Sequence, residues 1–459
     1  MLSAHLINVC AILAVFIVNS SAHKSYPMGS PRRDAGPGEP LFLTPYIENN
    51  NVERAKQAAL VQPFLNNIIS YSGFLTVNKE HNSNMYFWFF PAEVNHDKAP
   101  LIIWLQGGPG ASGVYTVFDQ FGPYIIDQSN QLKKREIYWS QIFNVIYVDS
   151  PIGTGFSFTD NDNGYSMNDA QIGENLYIFM KQFYQLFPEY KKNDFYISGN
   201  SYGGKFVVAL AQTIDENEKS LRENEKINLK GLAISSGFVD PFTAMERSDI
   251  FYQLGLIDFN FKQELEKYIK NIQSLLTQRK FVEALDYNVN VMRKTLFQEI
   301  GFDNLFNIRY NTFYYPFGSI DNFVNSNRTR QKLHVGNISF NTSDKVSTTL
   351  RNDLMQSVKP WFENLVEKYR IMMHTGQLDL EIVYTTIVSF IRSLNWTGLE
   401  AYNQAERTKW NVDNELAGYM KTAGKLTDVL VRNAGHMSGL DQPKFIFELM
   451  KYFTNYSSS

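Results

Sequence analysis

Cysteine is almost missing from this 459-residue chain: the single one is Cys10. One thiol makes no internal disulfide, so a fold here must rest on its core. A chain this long buries enough apolar surface for that. Charge is sparse too. Lys, Arg, Asp and Glu make up 19% of the residues and sum to a net charge of −3. Without a basic excess, the chain lacks the electrostatic footprint of a nucleic-acid binder. No apolar run reaches the ~20 residues that a membrane span needs. No repeat or low-complexity tract stands out, and no glycine-rich turn ends in Gly-Lys-Ser or Gly-Lys-Thr, so a phosphate loop is excluded.

Aromatic residues are abundant, at 15%. That level fits deep packing, or a groove that grips apolar side chains. The N-terminus is the other conspicuous feature. Leu6 to Val18 is a short apolar run broken only by Asn8, and Ser20-Ser21-Ala22 supplies small residues for cleavage. We read residues 1–22 as a signal peptide. Cys10 leaves with it, so the mature chain is expected to carry no thiol. Residues 23–40 are rich in Pro, Gly and charge and read as an extended arm, with Arg32-Arg33 as solvated charge. Secretion gives meaning to the Asn-x-Ser/Thr sequons at Asn327, Asn337, Asn341, Asn395 and Asn455. Three of them between Asn327 and Asn341 point to an exposed, sugar-bearing surface.

Along the chain, short apolar runs alternate with amphipathic segments. Residues 73–77, 85–90, 101–105, 144–148, 195–198, 232–234, 370–373 and 428–432 read as strands. Between Ala170 and Leu186, the residues Ile172, Leu176, Phe179 and Phe183 recur at helical spacing. This rhythm predicts an α/β fold, a mostly parallel sheet covered by helices on both faces. Residues 41–240 and 346–459 form that core. Residues 241–345 break the rhythm: polar, helical and strand-poor, they read as a helical cap inserted over the sheet's C-terminal edge.

One motif sits where strand meets helix. Gly199-Asn200-Ser201-Tyr202-Gly203 fits G-x-S-x-G, a turn that pushes a serine hydroxyl out of the sheet. Its partners must follow in the order Ser, Asp or Glu, His. Of seven histidines, only His334, His374 and His436 come after Ser201. His334 lies in the sequon-rich segment, and His374 reads as a strand-end packing residue. His436 sits on the loop after the last apolar strand, where it can swing back to the serine. Asp379 lies on the loop after the preceding strand, and loops of neighbouring strands lie side by side. Gly107-Gly108-Pro109-Gly110 follows another strand. Bare glycine backbone there can point N–H groups into a site, and paired with the N–H of Tyr202 such a loop makes an oxyanion hole.

The segments "WLQGGPGAS", "VIYVDSPIGTGFSF", "FYISGNSYGGKF", "HTGQLDL" and "AGHMSGLDQP" together resemble the serine carboxypeptidases, and "EPLFLTPYI" resembles their vitellogenic-like branch. The resemblance runs from about Gly38 to the C-terminus. It implies an α/β-hydrolase fold with a helical cap and removal of C-terminal residues from peptides. It places the triad on Ser201, Asp379 and His436 and the oxyanion hole on Gly108 and Tyr202. No metal or cofactor is implied. Peptide or protein C-termini are the expected partners, with no nucleic acid and no membrane span, and a homodimer stays open. The expected location is secreted or lysosomal.

The chain also departs from the family pattern. The family holds the substrate carboxylate with an Asn and two Glu. The matching positions here are Gln106, Gln120 and Asn200, all amides. Ala111 replaces a usual Cys, and Ser438-Gly439 a usual Val-Pro. Amides donate hydrogen bonds without taking up a proton. Substrate affinity is therefore expected to stay flat from mildly acidic to neutral pH. The rate should fall only as His436 protonates, at about 6.5 if unperturbed. The changed clamp keeps an acyltransferase or esterase on the same triad as an alternative, and a binding protein without catalysis as another.

Overall fold

The structure is a computed structural model. It describes residues 36–456 apart from 66, 128–130, 314 and 316. The expected signal segment, Cys10 and most of the arm lie outside the described residues.

Among the described residues, ten strands form one sheet. In chain order they are β1 Tyr71–Asn78, β2 Ser83–Phe90, β3 Leu101–Leu105, β4 Asn144–Val148, β5 Phe195–Asn200, β6 Leu229–Ser235, β7 Arg370–Gly376, β8 Thr408–Val412, β9 Glu415–Ala423 and β10 Leu426–Val431. Their order across the sheet is β1-β2-β4-β3-β5-β6-β7-β10-β9-β8. The six from β4 to β10 run parallel. The two outer strands on each side pair antiparallel.

The central strands read as unbroken apolar runs because both sheet faces are covered. Alternate residues go to opposite cores. Leu101, Ile103, Leu105, Phe195 and Ile197 join one core, while Ile102, Trp104 and Tyr196 join the other. The first core takes the apolar faces of helices Asp169–Leu186 and Gly203–Asn217. The second takes helix Gly113–Asp119 and helix Pro443–Thr454. Ile172, Leu176, Phe179 and Phe183 line one buried stripe, as their spacing required.

The hairpin β8–β9 was not expected. Its outer strand, Thr408–Val412, is largely exposed and polar. An edge strand needs only one packed face, so it shows no apolar run. Between β6 and β7 the described residues form helices and no strand. One is a single π-helical turn, Asn288–Arg293. No described helix is long and apolar enough to cross a membrane.

One buried ion pair anchors the helix that begins just after Ser201. Lys205 Nζ lies 3.5 Å from the Asp169 carboxylate and is fully buried. It also donates to the backbone oxygens of Leu354 at 3.0 Å and Asp353 at 3.3 Å. Burial pushes the Asp169 carboxyl up to about 7, against the pull of Lys205. Removing one partner of such a pair leaves a buried polar group without its mate. Lys205→Ala should cost about 3–5 kcal/mol. Lys205→Met combined with Asp169→Asn should recover most of that. Urea unfolding checks both, and a Lys205→Ala protein within about 1 kcal/mol of wild type would show that the pair supports nothing.

Candidate active site

Ser201 is the corner between β5 and helix Gly203–Asn217, with φ at +59°. Few side-chain-bearing residues sit there, and the strain costs about 1–3 kcal/mol. Three backbone bonds hold it. Ser201 N–H donates to Ser235 O at 2.9 Å, and Ser201 O accepts from Gly204 and Phe238 N–H, each at 2.9 Å. The flanking glycines are required by contact. A Cβ on Gly203 would lie 2.2 Å from Leu105 O, and one on Gly199 2.7 Å from the same atom. The end of β3 therefore presses directly onto the elbow.

The loop after β3 then crosses the serine. A Cβ on Gly107 would meet Ser201 Cβ at 2.9 Å and Tyr202 N at 2.9 Å. The neighbouring Gly108 takes φ +122°, which favours glycine. The loop at Gly107 thus lies against Tyr202 N, and neither the Gly108 nor the Tyr202 N–H donates to a described residue. Preorganised donors of this kind stabilise a developing oxyanion.

Asp379 and His436 meet because β7 and β10 are parallel neighbours, with Gly376 opposite Val431. His436 Nδ1 lies 2.9 Å from Asp379 Oδ2. The other oxygen, Oδ1, accepts from the backbone N–H of Glu381 at 2.8 Å and of Ile382 at 3.0 Å. Both carboxylate oxygens are therefore used, and His436 is held as the Nδ1–H tautomer. His436 Nε2 is buried with no hydrogen-bond partner among the described residues. Burial pulls the His436 pKa down, but Asp379 and then Glu381 more than reverse this, so it lies above the ordinary histidine value. The unperturbed value expected from sequence is corrected upward.

Asn200 links the two halves. Its Nδ2 donates to His436 O at 3.1 Å and reaches Ser235 O at 3.3 Å. The residue before Ser201 thus ties the elbow to the histidine loop. Gln106 is turned differently. Its Oε1 accepts from Trp104 Nε1 at 3.1 Å and Thr116 Oγ1 at 3.2 Å. An indole N–H only donates, so the amide orientation is fixed and Nε2 points away from those partners. Gln120 Nε2 makes a weak contact with Met437 Sδ at 3.8 Å.

His374 stays inside the fold. Burial lowers its pKa to about 4, so it is neutral at ordinary pH. His334 contacts Ser72 Oγ at 3.1 Å, far along the chain from the elbow. Two groups near the site escaped the sequence reading. Asp119, beside Gln120, is buried, and burial pushes it up to about 7 against the pull of Arg135. Glu381 receives Arg293 Nη1 at 2.7 Å. Burial alone would raise its pKa, yet Arg293 and Arg247 bring it below the usual value. Only the D-Q-F-G-P and D-L-E strings hinted at these carboxylates.

Residues 61–456 match the family model described as serine carboxypeptidase. The chain belongs to the serine carboxypeptidase family. It is 42% identical over 430 residues to the venom serine carboxypeptidase of Apis mellifera, covering 91% of each chain. It is 40% identical over 437 residues to the vitellogenic carboxypeptidase of Aedes aegypti, covering 93% of this chain and 92% of that one. Among solved structures, a prohormone-processing carboxypeptidase of Saccharomyces cerevisiae superposes with a TM-score of 0.73 at 21% identity, over 87% of this chain and 96% of the other. The fold is the α/β-hydrolase fold, and the protein is a serine-type carboxypeptidase acting on peptides.

Proposed function

We propose that this carboxypeptidase works through an acyl-enzyme formed on Ser201. Ser201 Oγ attacks the scissile carbonyl, and His436 Nε2 takes its proton. Asp379 holds the opposite ring nitrogen and stabilises the imidazolium. The N–H groups of Gly108 and Tyr202 receive the oxyanion. His436 then returns the proton to the departing amine, and water attacks the acyl group by the same route. The observation that carries this reading is the 2.9 Å Asp379–His436 contact, on a loop tethered through Asn200 to the elbow. A fluorophosphonate probe should label the peptide that contains Ser201. A protein that shows no adduct there would fit the non-catalytic alternative instead.

We take Gln106, Gln120 and Asn200 as the region that receives the substrate's terminal carboxylate. The fixed amide of Gln106 supports this, because its Nε2 is left to donate. No amide titrates, and burial raises the nearby Asp119 carboxyl to about 7. KM for one peptide should therefore stay flat between about pH 4.5 and about pH 6.5, where only carboxylates and His would titrate. Gln120→Glu with Asn200→Glu should raise KM near neutrality through like-charge repulsion, and recover at low pH where one proton is shared. Matching KM profiles in the two proteins would remove these residues from the clamp.

Residues 41–240 and 346–459 serve as the hydrolase core, with 241–345 as the cap. We place the protein outside the cytoplasm, secreted or lysosomal and glycosylated. Asn337, Asn395 and Asn455 are exposed, which supports this, while Asn327 and Asn341 are half-buried.

A further inference from the structure

A short piece of the helical insertion reaches into the catalytic centre. It is the stretch Leu305 to Arg309. On one side it brackets Asp379: Leu380 N–H donates to Leu305 O at 2.9 Å, and Ile308 N–H donates to Leu378 O at 3.0 Å. On the other side it meets the histidine loop. His436 N–H donates to Phe306 O at 2.6 Å. Asn307 Nδ2 donates to Asp441 Oδ2 at 2.9 Å, and that oxygen also accepts from Gly435 N–H at 2.7 Å. Gly435 has no room for a side chain, since a Cβ there would lie 2.3 Å from Phe306 O. The Phe306 ring then lies flat on the His436 imidazole, with centroids 4.7 Å apart and planes 16° from parallel.

We propose that this stretch is a clamp joining the acid and base loops, and that Phe306 is a positioning residue which fixes the plane of the His436 ring and steadies its protonated form. The physical need is specific. The bond to Asp379 fixes one edge of the imidazole but leaves the ring free to tilt about that bond. A parallel aromatic face removes the tilt. When Nε2 takes the serine proton, the positive ring faces a π cloud within the ~6 Å over which such attraction acts. The charged groups facing this imidazole are Asp379 in direct contact, Glu381 beyond it, and Arg293 paired to Glu381. The two carboxylates favour the charged ring, and Arg293 and burial oppose it.

Phe306→Leu keeps apolar bulk and removes the π face, whereas Phe306→Tyr keeps the ring. Phe306→Leu should lower kcat about tenfold, the size of a cation–π contribution, with KM within about twofold. The acid limb of its kcat–pH profile should move to lower pH, because the imidazolium has lost support. Phe306→Tyr should keep kcat within about threefold of wild type, with the wild-type limb. A Phe306→Leu enzyme with wild-type kcat and limb overturns the proposal. So does a Phe306→Tyr enzyme that loses as much as Phe306→Leu, since bulk alone would then matter. Thermal unfolding is measured first, and Phe306→Met replaces Leu under the same expectations if Leu does not fold. The proposal rests on His436 being the base. An active His436→Ala protein would defeat that assignment, whereas an inactive one beside a wild-type-like Phe306→Leu would defeat this inference alone.

Discussion

Ser201→Ala is expected to abolish peptide hydrolysis while the protein stays folded. The serine occupies a corner with φ +59°, held by backbone bonds to Ser235, Gly204 and Phe238 that do not involve its hydroxyl. Alanine keeps every one of those bonds. The hydroxyl makes no hydrogen bond to a described residue, so its value is chemical. Losing a triad nucleophile costs about four to six orders of magnitude in kcat. The remaining rate reflects binding and the oxyanion donors. The measurement is kcat on one peptide, with urea unfolding run in parallel. A folded Ser201→Ala protein with kcat within about tenfold of wild type, far less than a lost nucleophile costs, would place the nucleophile elsewhere.

His436→Ala is expected to fail by a similar margin, and His374→Ala is not. Both side chains are buried, so burial does not separate them. Their partners do. His436 has a carboxylate at 2.9 Å and a free Nε2. No acid among the described residues is paired with His374, and burial lowers its pKa to about 4. His374→Ala should lose some stability through the cavity, about 1–3 kcal/mol, and keep substantial kcat. The wild-type profile carries a second test. His436 must be neutral to accept the serine proton. Its pKa is raised, so activity should fall as pH drops through a value above the ordinary 6.5. Asp379→Asn removes the largest support for the charged ring, so its limb should shift to lower pH along with a large drop in kcat. A limb that stays in place would show that another group governs it.

The elbow was legible because tight contact leaves its mark on composition. Gly199 and Gly203 must be glycine where Leu105 O approaches, and a serine between two such positions stands out. The central strands were legible because burial on both faces demands unbroken apolar runs. Asp379 and His436 followed from parallel neighbours ending side by side, and the pairing of β7 with β10 gives that arrangement. The hairpin β8–β9 was hidden because its outer strand is exposed and polar. Long-range pairs were hidden for another reason. Nothing local links Lys205 to Asp169, Arg293 to Glu381, or Phe306 to His436. The raised His436 pKa depends on such contacts and was illegible for the same reason. Asn200 was read as facing substrate, and its Nδ2 also turns out to tether the histidine loop.

Paired peptides, identical except for a free or an amidated C-terminus, are incubated with wild type and with Ser201→Ala, and mass spectrometry follows the products. Wild type should shorten the free peptide one residue at a time from its C-terminus. It should act far more slowly on the amidated peptide, and Ser201→Ala should leave both intact. Equal rates on the two peptides, cleavage away from the C-terminus, or shortening by Ser201→Ala would contradict that expectation.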